Sequence, residues 1–331
     1  MKKMKPNNRR IEYFIDGAMS FLQIGYVMPR KDDGPLFHVL LGDIVAARGK
    51  LADNDFRIDD FTHSLVVAYP KDFQVQEEAR NRISSVLESS GLWREKEWAG
   101  ITFKFIPYPV ERNDDSSSNG DVDSSSRNTY IQAKHAILDE MRQLEKRLLD
   151  SALDKCDDAR VYIDGEFQTD DTKYQGRVLS ICKQLSLIKI AKRIERGEKL
   201  VSEIVHMESE HMESDNPCTS VFRWNEKGIE GMRYKRNWWT WYLKLRDNPL
   251  RDRDAIMSDI IQCTVQSQDK PSEEIIKEWN ANLQRLSFPT CYGLDKKRWR
   301  THIYQIYLTE LFCKNQSING KALEYLAYGN R

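Results

Sequence analysis

Two short stretches of this chain each run an apolar segment into the tripeptide Ile-Asp-Gly. They are "EYFIDGAMSF", which contains Asp16, and "RVYIDGEFQT", which contains Asp164. A carboxylate at the end of a strand is held rigidly, and two or three such oxygens bind Mg²⁺ or Mn²⁺. A pair of these ions activates water and stabilises the leaving oxygen in phosphodiester cleavage. The alternative is that each Asp-Gly is only a turn whose aspartate caps its own backbone.

A third carboxylate is available on a helix predicted over residues 129–154. Glu140 and Glu145 both flank the apolar stripe of that helix, and either one supplies a metal ligand if its face meets the sheet. The alternative for both is a solvated helix face, which is the usual place for a helix glutamate.

Basic and aromatic residues are interleaved in the segment "KKRWRTHIYQIY". Such a mixture neutralises phosphates and stacks on bases, and His302 within it is suited to binding a metal or carrying a proton. An amphipathic helix with a buried aromatic face explains the same pattern. Tyr292 lies in a turn just before this segment, and its cations are Lys296, Lys297, Arg298 and Arg300.

Composition narrows the function classes. The chain has 331 residues with 51 basic and 51 acidic side chains, so nucleic-acid binding requires a local patch. Its six cysteines stand singly without a CxxC pair, which favours reduced thiols in a cytoplasmic protein over a zinc knuckle. No stretch is long and apolar enough to predict a membrane span. GxxxxGK[ST], GxSxG and HExxH motifs are absent.

Hydrophobic periodicity predicts the elements that must position these residues. Strands are expected over 11–28 (with a turn near Asp16 and Gly17), 37–49, 63–70, 100–109, 160–167, 176–184, 237–245 and 254–265. Helices are expected over 74–90, 129–154, 186–199, 271–286, 295–314 and 320–331.

The order of these elements predicts a mixed α/β chain with an RNase H-like sheet, flanking helices and extra C-terminal helices. We expect a single domain over 1–331. The polar stretch 112–128 predicts a disordered loop, and 208–217 predicts a second polar loop. The stripe of the 129–154 helix is expected to be Ile131, His135, Leu138, Met141, Leu144, Leu148 and Leu149.

The ordered set of motifs resembles the NurA family of DNA end-processing nucleases. An Asp-Gly closes the first strand, a glutamate-bearing helix follows, and a second strand ends in Asp-Gly before "GRVLSICKQ" and a C-terminal Tyr…His. The resemblance implies an RNase H-like core similar to Argonaute Piwi domains, Mn²⁺ or Mg²⁺ as cofactor, DNA as substrate, a HerA-type hexameric ATPase as partner and a homodimer.

The resemblance also implies a residue set. Asp16 and Asp164 match the two strand-end aspartates, and Glu145 matches the helix glutamate, with Glu140 as its rival. Lys183 matches the lysine after the next strand, with Lys189 as an alternative. His302 and Tyr292 match the C-terminal pair. The second motif departs from the family pattern, since Glu and Phe follow Asp-Gly here.

The sequence therefore predicts a metal-dependent DNA nuclease that works with a HerA-type ATPase in DNA repair or antiviral defence. The catalytic set is Asp16, Glu145, Asp164, Lys183 and His302, and all of these except Lys183 are metal ligands. Two alternatives remain open: a non-catalytic subunit of an ATPase complex, and a small-molecule or RNA-binding protein whose Asp-Gly pairs are only turns.

Overall fold

The computed structural model describes residues 11–27, 37–71, 101–109, 122–165, 172–183, 191, 197–209, 218–223, 238–245, 260–287 and 303–328, with side chains from 128 in the long helix. The strands are β1 Glu12–Val27, β2 Phe37–Ala52, β3 Asp55–Pro70, β4 Ile101–Tyr108, β5 Arg160–Asp164, β6 Val178–Cys182, β7 Phe222–Arg223, β8 Trp238–Lys244 and β9 Ile260–Gln266. The helices are α1 Val122–Lys155, α2 Gly197–Ser209, α3 Glu273–Leu286, α4 Tyr304–Gln316 and α5 Gly320–Tyr328, and a 3-10 turn spans Thr172–Tyr174.

The described strands form a nine-stranded mixed sheet in the order β4-β3-β2-β1-β5-β6-β9-β8-β7. β5 is parallel to β1 and β6 is parallel to β5, whereas β9 is antiparallel to both β6 and β8. Asp53 and Asn54 join β2 to β3 with positive φ angles of 53° and 67°, which is the type I′ pattern of a tight hairpin. The run β3-β2-β1-β5-β6 is an RNase H-like arrangement, so the predicted fold class is confirmed.

The chain divides into two compact units, whose boundaries pass through β1, β2 and β3. The first unit contains Met1–Ile15, Gly49–Asp59 and Leu149–Thr309, and the second contains Asp16–Arg48, Asp60–Leu148 and Glu310–Arg331. The expectation of one domain over the whole chain stays a prediction.

The first unit buries both faces of its strands, as the two-residue alternation of β8 requires. Trp241 packs in a core with Trp279 and Leu283 of α3, while its neighbour Tyr242 packs in a separate core with Ile204 of α2. Helix α3 begins after Ser272, whose side chain accepts a 3.4 Å hydrogen bond from the Ile275 amide. The predicted helix over 271–286 and strand over 237–245 are confirmed by these elements.

The second unit has its own core. Apolar side chains of β2 and β3 pack with Leu323 of α5. Asp43 of β2 fixes the start of that helix, because its Oδ2 accepts hydrogen bonds from Ser317 Oγ at 2.5 Å and the Ile318 amide at 2.8 Å. Its Oδ1 contacts His63 Nε2 of β3 at 2.5 Å. This buried network ties the C-terminal helix of the unit to two of its strands.

The turn predicted near Asp16 and Gly17 is wrong, because β1 continues without interruption through both residues to Val27. Gly17 is not among the residues with positive φ, so no reversal of the chain direction occurs there. Pairing of a strand within a sheet has overridden a local turn signal at this point.

The predicted loop over 112–128 is wrong for 122–128, since α1 begins at Val122, while 112–121 lie outside the described residues. The predicted stripe of α1 is wrong in its first half: Ile131 and His135 are exposed, and Ala133 and Ile137 are buried. The helix predicted over 74–90, most of that over 186–199 and the loop over 210–217 also lie outside the described residues. None of the described helices is long and apolar enough to cross a membrane.

Candidate active site

Asp16 lies inside β1 and is buried, with 7% of its surface exposed. Its Oδ1 accepts a 2.8 Å hydrogen bond from the Gly17 amide, which fixes the carboxylate against its own strand. The carbonyl oxygen of Asp16 accepts a 3.4 Å hydrogen bond from the Cys313 thiol of α4. The strand therefore orients the carboxylate of Asp16, and helix α4 contacts its backbone, within the second unit.

Glu145 of α1 approaches the next residue of β1, Gly17. A Cβ atom built on Gly17 would lie 2.8 Å from Glu145 Oε1 and 3.1 Å from Met141 Sδ, so the space that a side chain would need is already occupied. Glu145 is only 9% exposed, and the expectation that it lies on a solvated helix face is wrong. The close approach of a carboxylate, and not a turn, limits the space for a side chain at this glycine.

The thiol of Cys313 lies close to the charges of both Asp16 and Glu145. Burial raises the pKa of Cys313, and the nearby charges of Asp16, Glu145 and Glu310 raise it further. Glu310 is partly neutralised by Lys314 at 2.5 Å. A concentration of carboxylate oxygens in a buried place is the setting in which a hard divalent cation is favoured. Cys313 was not found from the sequence, because a lone cysteine on a helix carries no motif.

Glu140, the rival of Glu145, has different partners. Its Oε1 lies 2.5 Å from Lys104 Nζ of β4 and 3.2 Å from Arg147 Nη2. It too is buried, so the solvated-face expectation is wrong for both glutamates. The structure brings Glu145, and not Glu140, to the surroundings of Asp16.

Asp164 ends β5 in the first unit and forms an ion pair with Lys183, which follows β6. The distance from Asp164 Oδ2 to Lys183 Nζ is 2.6 Å, and the two side chains are 22% and 14% exposed. β5 and β6 are adjacent and parallel, so residues just beyond their ends meet at one edge of the sheet. Lys183, which the family resemblance implies, thus lies directly against Asp164.

The glycine after Asp164 does sit in a turn. Gly165 has φ of +86°, a conformation that costs residues with a Cβ. Its amide donates to the Ile181 carbonyl at 2.7 Å, and its own carbonyl accepts from Ser180 Oγ at 2.5 Å. The two Asp-Gly pairs therefore have different physical causes, although they look alike in the sequence.

Within the first unit, Ile15 of β1 pairs with Ile163 of β5, the residue before Asp164. Within the described part of the chain, no group of three His, Cys, Asp or Glu residues is arranged to hold a metal ion. The predicted residues that lie outside the described ranges are Tyr292, Lys296, Lys297, Arg298, Arg300 and His302.

The chain was compared with known proteins. No protein-family model matches it, and no curated protein matches it. Among solved structures, it is similar to the crystal structure of the NurA nuclease from Sulfolobus solfataricus. The similarity covers 97% of this chain and 82% of that chain, with 13% sequence identity and a TM-score of 0.38.

Proposed function

We propose that this chain is a metal-dependent deoxyribonuclease that cleaves phosphodiester bonds of DNA. The observation that carries the proposal is that two buried carboxylates lie against Gly17. Asp16 Oδ1 accepts a hydrogen bond from the Gly17 amide, and Glu145 Oε1 would contact a Cβ built on Gly17. Carboxylate oxygens are the ligands that Mg²⁺ and Mn²⁺ prefer, and such an ion performs this chemistry.

The donor set fits Mg²⁺ or Mn²⁺, because its oxygens are carboxylates and the glycine leaves the room that the carboxylate occupies. The metal ligands that the sequence resemblance implies are Asp16, Glu145, Asp164 and His302. A bound ion would polarise the phosphodiester and activate water. The side chains themselves orient it and exclude bulk water.

Lys183 has a positioning role in this proposal. Its ammonium group lies 2.6 Å from one oxygen of Asp164, which fixes the rotamer of that carboxylate and leaves the other oxygen for a ligand. Mutation of Lys183 should therefore impair activity through Asp164.

The remaining parts of the proposal concern the substrate and partners. Tyr292, Lys296, Lys297, Arg298 and Arg300 are proposed to contact DNA, since their cations and ring suit phosphates and bases. We further propose that the chain acts as a cytoplasmic homodimer with a HerA-type hexameric ATPase, in DNA repair or antiviral defence. These statements are supported by the sequence resemblance.

The proposal is tested by cleavage of linear DNA with Mn²⁺, using the chain alone and with a HerA-type ATPase. Asp16→Asn and Asp164→Asn should each lower the rate by about 100-fold or more, because each removes a charge that stabilises the transition state through the metal. Asp139→Asn is the matched control, since Asp139 is an exposed aspartate of α1 paired with Arg142. Full activity of Asp164→Asn would refute the nuclease.

A non-catalytic subunit of an ATPase complex is the second candidate. It is favoured by the finding that the described residues hold no group of three metal-binding side chains. A bound metal raises the stability of the native state, by about 2.7 kcal/mol at 100 times the Kd. Stable ATPase binding without any effect of Mn²⁺ on the melting temperature would therefore favour this candidate over the nuclease.

A further inference from the structure

We propose that an aromatic row in the second unit binds single-stranded DNA by stacking on its bases and leads that strand toward Asp16 and Glu145. The aromatic row consists of Phe21 and Tyr26 of β1, His38 of β2 and Tyr130 of α1. The inference deepens the proposed nuclease function by naming the form of its substrate, and it rests on that function.

The rings of the aromatic row contact each other in sequence. The Tyr26 and His38 centroids lie 5.1 Å apart, those of His38 and Tyr130 5.3 Å, and those of Tyr130 and Phe21 6.1 Å. Tyr26 is 53% exposed, although the ring behind it is buried. The row therefore presents one aromatic face to solvent and supports it from behind.

The support behind Tyr26 is fixed by hydrogen bonds. His38 Nδ1 lies 2.9 Å from Thr129 Oγ1 of α1, and the carbonyl of His38 accepts a 2.7 Å bond from Tyr108 Oη of β4. Burial lowers the pKa of His38, so the imidazole is neutral near pH 7 and behaves as an aromatic ring. An exposed ring that is held in place loses little entropy when a base stacks on it.

A cation lies beside the aromatic row. Lys134 Nζ of α1 is 5.2 Å from the centroid of Phe21, one helical turn from Tyr130. Aromatic faces next to a cation are the combination that binds single strands, because stacking holds bases and the cation neutralises phosphate. Core aromatic pairs of this chain differ, since Phe14 and Tyr162 are both 0% exposed.

Residues of the aromatic row lie on the same two secondary-structure elements, β1 and α1, as Asp16 and Glu145. β1 carries both Asp16 and Tyr26, and ten residues of strand span ~33 Å. α1 carries both Glu145 and Tyr130, and fifteen residues of helix span ~22 Å. A strand of duplex DNA advances ~3.4 Å per nucleotide and would need about ten nucleotides for the strand distance. An extended single strand needs fewer, which is within the usual site size of about 4–16 nucleotides.

The aromatic row favours single strands over duplexes because it binds the π-faces of bases. The π-faces of duplex bases are covered by their neighbours, whereas an unpaired strand offers them freely. Stacking recognises every base, so we expect little sequence preference. Without a metal, the carboxylates of Asp16 and Glu145 would repel the DNA strand. The aromatic row is therefore the place where the DNA strand is first bound.

Fluorescence anisotropy with a labelled deoxythymidine oligomer in EDTA tests the site, because the chelator removes the metal and prevents cleavage. Tyr26→Ala should weaken binding by about 5- to 150-fold, and Tyr26→Trp should bind at least as tightly as wild type. Lys134→Met should weaken binding several-fold and reduce its salt dependence. Phe61→Ala is the matched control, since Phe61 is another exposed ring that rests on an aromatic neighbour, Phe312.

Blunt duplex DNA should bind Tyr26→Ala and wild type equally. If Tyr26→Ala melts like wild type and binds the oligomer within twofold of it, the stacking site is wrong. That result would leave the proposed nuclease intact wherever Mn²⁺-dependent cleavage is still observed. Binding that depends on Tyr26 in a wild-type chain without Mn²⁺-dependent cleavage would instead refute the nuclease and retain a single-strand site. Tighter binding of the same oligomer as RNA would overturn the assignment to DNA.

Discussion

The carboxylate of Glu145 occupies the space into which any side chain on Gly17 would have to extend. The distance from a Cβ built on Gly17 to Glu145 Oε1 is 2.8 Å, which is shorter than atoms in contact tolerate. Glu145 is the end of a flexible side chain on α1, so it can move aside when the glycine is replaced. Gly17 therefore controls where the carboxylate lies more than it controls whether the chain folds.

Gly17→Ala should lower Mn²⁺-dependent cleavage by about 100-fold while the melting temperature changes little. The added methyl group displaces Glu145 by an ångström or so, and misplacement on that scale costs a metal site most of its activity. Cleavage rate and thermal melting measured on the same preparation give the comparison.

Gly25→Ala supplies the control, because Gly25 lies on the same strand and has nothing within 4 Å of a Cβ built on it. It should cleave DNA like wild type. If Gly17→Ala and Gly25→Ala were equally active, Glu145 would not be a metal ligand. Its position beside Gly17 would then be structural only.

The two glutamates of α1 are separated by a second pair of variants. Glu145→Gln should abolish the effect of Mn²⁺ on both cleavage and melting temperature, because it removes a charged ligand. Glu140→Gln should keep both effects but lower stability, since it weakens the pairs with Lys104 and Arg147. The reverse pattern would assign the metal ligand to Glu140.

The sequence alone predicted the strand end that carries Asp164 because it depends on local alternation, whereas Asp16 lies inside β1 and not at its end. β5 and β6 formed where their apolar runs predicted. Lys183 was taken from the family resemblance, and it lies beside Asp164 because residues just beyond adjacent parallel strands meet at their common edge. The two strands could therefore be derived from residue order, whereas the contact between these side chains could not.

The rest depended on contacts between distant residues. Asp-Gly is a turn signal in isolation, and only pairing with neighbouring strands kept Gly17 extended. The buried face of α1 was misplaced because it includes Glu140, whose burial is compensated by Lys104 of β4. Counting apolar residues cannot anticipate a buried charge pair, and it therefore favoured Ile131 where the structure buries Ile137.

Gly165→Ala should behave differently from Gly17→Ala, although both glycines follow an aspartate. Gly165 has φ of +86° and nothing within 4 Å of a built Cβ, so the cost is backbone strain of about 1–2 kcal/mol. Stability should fall, and activity at a temperature where the chain is folded should be largely kept. Gly165→Asn should be milder, because asparagine tolerates this region. Equal melting temperatures for wild type and Gly165→Ala would contradict the strained turn.

Acid should destabilise the second unit through His38. Burial lowers the pKa of His38 in the folded chain below its ordinary value of 6.5, so the unfolded chain binds more protons between those two pKa values. Stability is therefore unaffected by this residue well above pH 6.5 and falls as the pH drops below it. His38→Asn should flatten the decline in melting temperature between pH 7 and pH 5, with the wild type measured in the same buffers. An unchanged slope in His38→Asn would place the acid sensitivity elsewhere in the chain.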